Sequence, residues 1–333
     1  MAMNALQRGM HMSNLDRHPT AKELGGLDAT SARPVLDLLP GKEVLLGEST
    51  RVRRLLPTLG RRLVGAWAFV DHYGPDDVAA GAGMQVAPHP HTGLQTVSWL
   101  LEGTVHHRDS LGSDVTFGPG QLALMTAGHG IAHAEQSPVE HPRFLHGAQL
   151  WVALPDASRE TAPAFEHHAT LPGWTSDGLT TTVLMGSFGG ATSPGTAHTP
   201  LVGVDLALAA GADVEVPLEP DFEYGLLASS GSATVEGAPL ERGAMLYLGT
   251  GRRSLRLTAG EATRLLLLGG EPFEEHLVMW WNFVGRSGKE IADYAEQWNA
   301  ESERFGAVVG YHGERLEAPP LPPVPLKARG RQR

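Results

Sequence analysis

Along this chain, apolar residues fall in short runs separated by glycine and proline, with little helical spacing. Thr96-Val97-Ser98-Trp99-Leu100-Leu101 reads as a strand, and Glu102-Gly103 marks the turn that follows. Another strand is expected at Val115 to Phe117, broken by Gly118-Pro119-Gly120, and the pattern resumes from Gln121 to Met125. Between Val44 and Val70 the apolar stretches are interrupted by Arg51, Arg53, Arg54, Arg61 and Arg62, as in strands with one wet face. Without a Gly-rich phosphate loop nearby, those arginines read as a solvated face rather than an anion site. Strand and turn alternating at this pace predict an all-β protein of sandwich or barrel type.

The pattern repeats weakly. Residues Pro119 to Gly128 align without gaps against Arg242 to Gly251, with paired glycines in both copies, which suggests two related β units. One helix stands out near the end. Ser287-Gly288-Lys289-Glu290 is a capping box, Ile291, Tyr294, Ala295, Trp298 and Phe305 fall mostly on one face, and Gly306 suits a C-terminal cap. The resulting plan is a flexible arm (1–35), a first β domain (36–155), a linker rich in Pro, Gly and Thr (156–198) and a second β domain (199–275). A helical segment (276–306) and a Pro-rich basic tail (307–333) complete it.

Composition narrows the function. The 333 residues, a prior of about two domains, carry a formal charge of −11, which disfavours direct nucleic-acid binding. There is no cysteine, so disulfides, thiolate metal sites and thiol nucleophiles are excluded. No apolar run approaches the length of a bilayer span and no secretory signal is visible, so a cytoplasmic location without membrane contact is expected.

Eight of the 16 histidines lie between His89 and His146. In His89-Pro90-His91 two imidazoles two residues apart share one face of an extended backbone, and His133-Ala134-Glu135 repeats that spacing with a carboxylate. Two such pairs on facing strands could converge on one ion. Three nitrogens and one oxygen suit Fe(II), Mn(II), Ni(II), Cu(II) or Zn(II), whereas calcium and magnesium prefer oxygen. His106 and His107 point to opposite faces of a strand, so at most one lines a pocket. His129 sits in a glycine turn at the edge of the site, while His141, His146, His167 and His168 are expected at the surface.

These residues resemble the pirin family of the cupin superfamily. The resemblance is carried by Pro88-His89-Pro90-His91-Thr92-Gly93, Leu100-Leu101-Glu102-Gly103, His107-Arg108-Asp109-Ser110, Thr126 to Glu135, Gln149-Leu150-Trp151-Val152 and Gly270-Glu271-Pro272. It implies a bicupin: two antiparallel β-sandwich or barrel domains, with one divalent transition metal in the first only, held by His89, His91, His133 and Glu135. On the gap-free repeat alignment, Arg256 and Thr258 replace His133 and Glu135 in the second domain. Gln95 stands where pirins commonly have Glu and reads as a group able to hydrogen-bond a ligand or bound water. Many pirins have Arg at the position of His129. The activity implied is cleavage of a chelating flavonol by O2, of the quercetin 2,3-dioxygenase type. Fe(II) is the first choice of metal, a phenol is the substrate, and Glu135 doubles as general base. The alternative is a non-catalytic, redox-responsive metal-binding regulator that acts through a protein partner.

Overall fold

The structure, a computed structural model, describes residues 22–24, 34–39, 41–46 and 50–328. It is the all-β arrangement expected: two antiparallel β-sandwich domains and one helix near the C-terminus. Most of the arm assigned to 1–35 and the tail end, 329–333, lie outside the described residues.

In the first domain a seven-stranded sheet runs in the order Ala164–His168, Leu122–Thr126, Leu94–Glu102, Phe144–Ala153, Trp67–Asp77, Thr50–Leu56 and Lys42–Leu46. Against it packs a four-stranded sheet, ordered Gln85–His91, Ile131–Gln136, Val105–Asp109 and Asp114–Phe117. Tyr73, Val86, Leu100, Val105, Phe117 and Leu145 fill part of the space between them. The second domain repeats the plan. Its large sheet has Leu201–Leu208, Thr263–Gly270 and Glu223–Ser230 at the centre, and its small sheet runs Asp213–Pro217, Ser254–Thr258, Ala233–Val235 and Ala238–Leu240.

The large sheets of the two domains meet back to back. Trp67, Phe69, Leu150 and Trp151 from the first pack with Leu201, Leu227, Met245 and Leu268 from the second in one buried cluster. Each such side chain, taken fully out of water, contributes about 1.5–3 kcal/mol before entropy is counted. Polar groups cross the seam too. The Trp99 indole N–H donates to the Asp205 carboxylate at 2.8 Å, and the Trp67 indole N–H faces the carbonyls of Val202 and Gly269.

Several segments differ from the sequence reading. Within 156–198, taken as a linker, Ala164–His168 extends the first large sheet and Leu179–Met185 joins the second. Pro34–Leu39, at the start of the chain, pairs with Met245–Gly249 of the second domain before Lys42–Leu46 returns to the first. Three of the arginines read as a solvated face are largely buried: Arg54 makes a bidentate bond to Asp71, Arg61 lies over the Tyr247 ring and 3.8 Å from Glu223, and Arg62 is 7% exposed. For Arg54 and Arg61 the neutralising carboxylates lie far along the chain, which local pattern does not reveal.

The helix spans Gly288–Asn299 and starts where the capping box places it, the Ser287 hydroxyl accepting from the Glu290 N–H. The Glu290 carboxylate reaches back to the N–H of Arg286 and also binds Arg159. The helix stops at Ala300 rather than near Gly306; Phe305 nonetheless packs beside Trp298, on the chain beyond it. Trp280, Trp281 and Phe283 pack against this helix, as the tryptophan-rich Met279-Trp280-Trp281-Asn282-Phe283 suggests. The described part of the Pro-rich tail lies against it, with the Trp298 N–H donating to the Leu316 carbonyl and Asn299 to that of Ala318. The segments on either side of the helix, and the tail, reach the strands of the small sheet: Val284 N–H donates to the Thr92 carbonyl, Leu316 N–H to that of Pro88, and Ala132 N–H to that of Phe305.

Candidate metal centre

The small sheet of the first domain carries polar pairs at alternate positions on three adjacent strands: His89 and His91, His133 and Glu135, His107 and Asp109. Alternation sends both members of each pair to one face, and all six are at most 3% exposed. Antiparallel register sets His133 opposite His89 on one side and Asp109 on the other, and Glu135 opposite His107. A bulge between His133 and Glu135 adjusts the strand next to Gln85–His91, a device that re-aims side chains.

His89, His91 and His133 form one group whose donor atoms lie within 4.8 Å of one another; His107, His133 and Glu135 form a second, sharing His133. Nε2 of His91 and Nε2 of His133 are 3.1 Å apart. The Nδ1–H of His89 donates to the Ala87 carbonyl at 2.9 Å and that of His91 to the Asn282 carbonyl at 3.0 Å. Because a carbonyl only accepts, both rings carry their proton on Nδ1 and present Nε2 as a lone pair.

Burial sets the charge states. It drives the His89 imidazole down from 6.5 to about 4, and holds His91 and His133 well below their ordinary value, with neighbouring histidines adding to the effect. The Glu135 carboxyl is pushed up by burial, partly opposed by His107 and by the bond from Ser98. The Ser98 hydroxyl lies 3.2 Å from Glu135 and 2.9 Å from Gln149, reaching Glu135 from the facing sheet. Tyr73 is held neutral by burial and by its proximity to Glu135. Trp151 meets His91 edge-on, and Phe165 stacks on His107 at 4.1 Å, so aromatic rings flank two of the imidazoles.

Three neutral imidazoles and a buried carboxylate fit a borderline divalent transition metal. Among the described residues no lysine or arginine pairs with Glu135, and facing Nε2 atoms at 3.1 Å suit two ligands of one cation.

Gln95 and His129 stand apart from these groups. The Gln95 amide donates to the Thr126 hydroxyl and the Thr196 carbonyl, leaving its oxygen buried without a hydrogen bond. His129 is half-buried in its turn, and its carbonyl accepts from the Arg304 guanidinium. Of His106 and His107, expected on opposite faces, it is His107 that points inward, and with Asp109, quoted above only for the resemblance, it joins the site. Their alternate spacing is the same signal that marks the two ligand pairs. His146, expected at the surface, is 4% exposed and pairs with His72 at the domain seam, Nε2 to Nε2 at 3.0 Å.

Two cupin-type sandwiches, with a histidine-rich small sheet in the first alone, define a bicupin. The chain belongs to the pirin family: residues 49–152 match the Pirin family model and residues 203–306 the Pirin C-terminal cupin domain. It is 45% identical over 288 residues to the Pseudomonas aeruginosa protein named "Putative quercetin 2,3-dioxygenase PA1205", covering 86% of this chain and 91% of that one. A pirin-like protein of Caulobacter vibrioides is 35% identical over 80% of this chain and 94% of its own. Among solved structures, that of quercetin 2,3-dioxygenase from Acinetobacter baumannii superposes with a TM-score of 0.84 at 45% identity, covering 88% of this chain and 97% of that one.

Proposed function

We propose that this protein is a metal-dependent dioxygenase that cleaves a chelating flavonol with O2, of the quercetin 2,3-dioxygenase type. The observation that carries the reading is the convergence of His89, His91 and His133 beside Glu135 in the buried interior of the first domain. It is supported by the 45% identity to relatives bearing that activity in their names. His89, His91, His133 and Glu135 would hold one divalent metal, with Fe(II) the first choice and Mn(II), Ni(II), Cu(II) or Zn(II) the alternatives. Such a metal supplies a Lewis-acid position for a chelating phenol and, if redox-active, electron exchange with O2.

The protein's own contribution is proton control and exclusion of water. Glu135, buried and reached by the Ser98 hydroxyl from the facing sheet, is placed to take the proton of the flavonol hydroxyl as general base. The same Ser98 hydroxyl is itself beside the Gln149 side-chain oxygen. Trp151 and Phe165 pack on the rings of His91 and His107 and, with the burial of the whole group, shield the site from solvent, which strengthens charge interactions within it. No helix among the described residues is long and apolar enough to cross a membrane, and we read the protein as cytoplasmic.

The test is aerobic consumption of quercetin by the Fe(II)- or Mn(II)-loaded protein beside His133→Ala, with an anaerobic control. Oxygen-dependent turnover in the wild type and none in the variant is the expected result. Retention of metal with quercetin untouched would remove the flavonol assignment and favour the redox-responsive regulator that acts through a protein partner.

A further inference from the structure

The three imidazoles of the proposed metal centre are not backed alike. His89 and His91 donate to neutral backbone carbonyls. Behind His133 stands a buried line that ends in a carboxylate. His133 Nδ1 lies 3.5 Å from His107 Nδ1, and His107 Nε2 lies 3.0 Å from Asp109 Oδ2. The other Asp109 oxygen accepts the backbone N–H groups of Leu111 and Ser113 at 2.9 and 3.0 Å. His107 and Asp109 are 2% and 1% exposed, and the His107 ring is fixed by stacking on Phe165 with 6° between the planes.

For a neutral His107, proton bookkeeping along this line has one solution. A carboxylate that receives two backbone donors on one oxygen can only accept on the other, so His107 carries its proton on Nε2. Its Nδ1 is then a lone pair facing His133, which must place its own proton on Nδ1. That leaves His133 Nε2 as a lone pair, 3.1 Å from the His91 Nε2 lone pair already fixed by the Asn282 carbonyl. Two facing lone pairs at that distance repel unless a cation lies between them.

We infer that Asp109 and His107 are positioning residues that lock His133 in its metal-binding tautomer and make it the most basic of the three imidazole donors. The inference rests on the ligand set proposed above and adds residues that touch no metal themselves. Hydrogen-bonded partners behind a ligating histidine typically govern metal affinity by roughly 10–100-fold.

The measurement is nitrogen NMR of histidine-labelled protein, metal-free and loaded with Zn(II), together with Zn(II) affinity measured against a competing chelator. In the wild type, His107 is expected as the Nε2–H tautomer in both states and His133 as the Nδ1–H tautomer. Asp109→Asn keeps an oxygen for Leu111 and Ser113 but turns an amide donor toward His107. It should reverse the His107 tautomer and weaken Zn(II) binding by roughly 10–100-fold. His106→Gln, on the other face of the same strand, should bind Zn(II) as the wild type does. The wild-type spectrum decides the matter even if the variant folds poorly. An Nδ1–H tautomer for His107, or Zn(II) affinity within twofold of wild type in folded Asp109→Asn, overturns the inference while leaving the ligand set intact. Zn(II) binding that survives His133→Ala overturns the ligand set, and with it this inference.

Discussion

The two small sheets of this protein share a strand plan and differ in what they point inward. In the first domain His89 and His91, His133 and Glu135, and His107 and Asp109 occupy the buried alternate positions. In the second, the corresponding strands bury Val214 and Val216, Leu255 and Leu257, and Ala233 and Val235. Register makes the match concrete: His133 pairs with His89, and Leu257 with Val214. One sandwich thus closes on hydrocarbon and the other on six polar side chains. Hydrocarbon stabilises by leaving water. Buried imidazoles and carboxylates cost free energy unless each finds a partner, and in the first domain the proposed metal would complete that set.

The sharpest way to break the comparison is to remove the chemistry and keep the shape. Glu135→Gln should lower kcat for quercetin by roughly 10²–10⁴-fold, read in steady-state O2 uptake with metal content measured in parallel. Activity near wild type would deny Glu135 the role of base. On the apolar side, Leu257→Ala should cost about 2–5 kcal/mol of stability by urea unfolding, while metal content per folded chain stays unchanged.

That equivalence was only partly legible in the sequence. The gap-free repeat alignment sets His133 on Arg256, yet Arg256 faces outward in an ion pair with Asp213, and Leu255 and Leu257 face in. A shift of one residue exchanges the faces of a strand, so glycine turns alone could not fix the register. That His89 and His91, and His133 and Glu135, share one face was readable because alternate spacing in an extended chain has one geometric meaning. The helix start was readable from the capping box; its end was not, since Phe305 joins the same apolar cluster from beyond the last turn. Partners distant in sequence were the systematic omission. Asp71 and Glu223 draw Arg54 and Arg61 inside, His72 draws His146, and Pro34–Leu39 finds its strand partner in the other domain.

A smaller effect sharpens the comparison at the seam between the domains. Burial, the facing imidazole and Arg242 bring His72 down from 6.5 to about 3; burial, Arg242 and Arg264 bring His146 to about 4. The unfolded chain therefore binds protons before the folded one does. Stability from this pair is fully present above about pH 6.5 and is lost as pH falls toward 4, by at most about 1.4 kcal/mol per pH unit for each histidine. The ligand histidines add a loss of the same sign in metal-free protein. Replacing both seam residues with Gln should flatten the acid limb of a urea-midpoint profile, and an unchanged slope would deny the pair this role. Smallest of all, Ser287→Ala removes the helix cap and should cost about 1 kcal/mol by thermal unfolding, with metal affinity unaltered, since the cap touches neither sheet's inner face.

Metal occupancy is the most direct test of the division between the two small sheets. Fe(II) bound per chain, measured anaerobically in the wild type, His133→Ala and Leu257→Ala, separates the two sheets. The prediction is one equivalent in the wild type and in Leu257→Ala, and none in His133→Ala. Two equivalents per wild-type chain, or undiminished binding in His133→Ala, would contradict the assignment of the chemistry to the first domain's polar sheet alone.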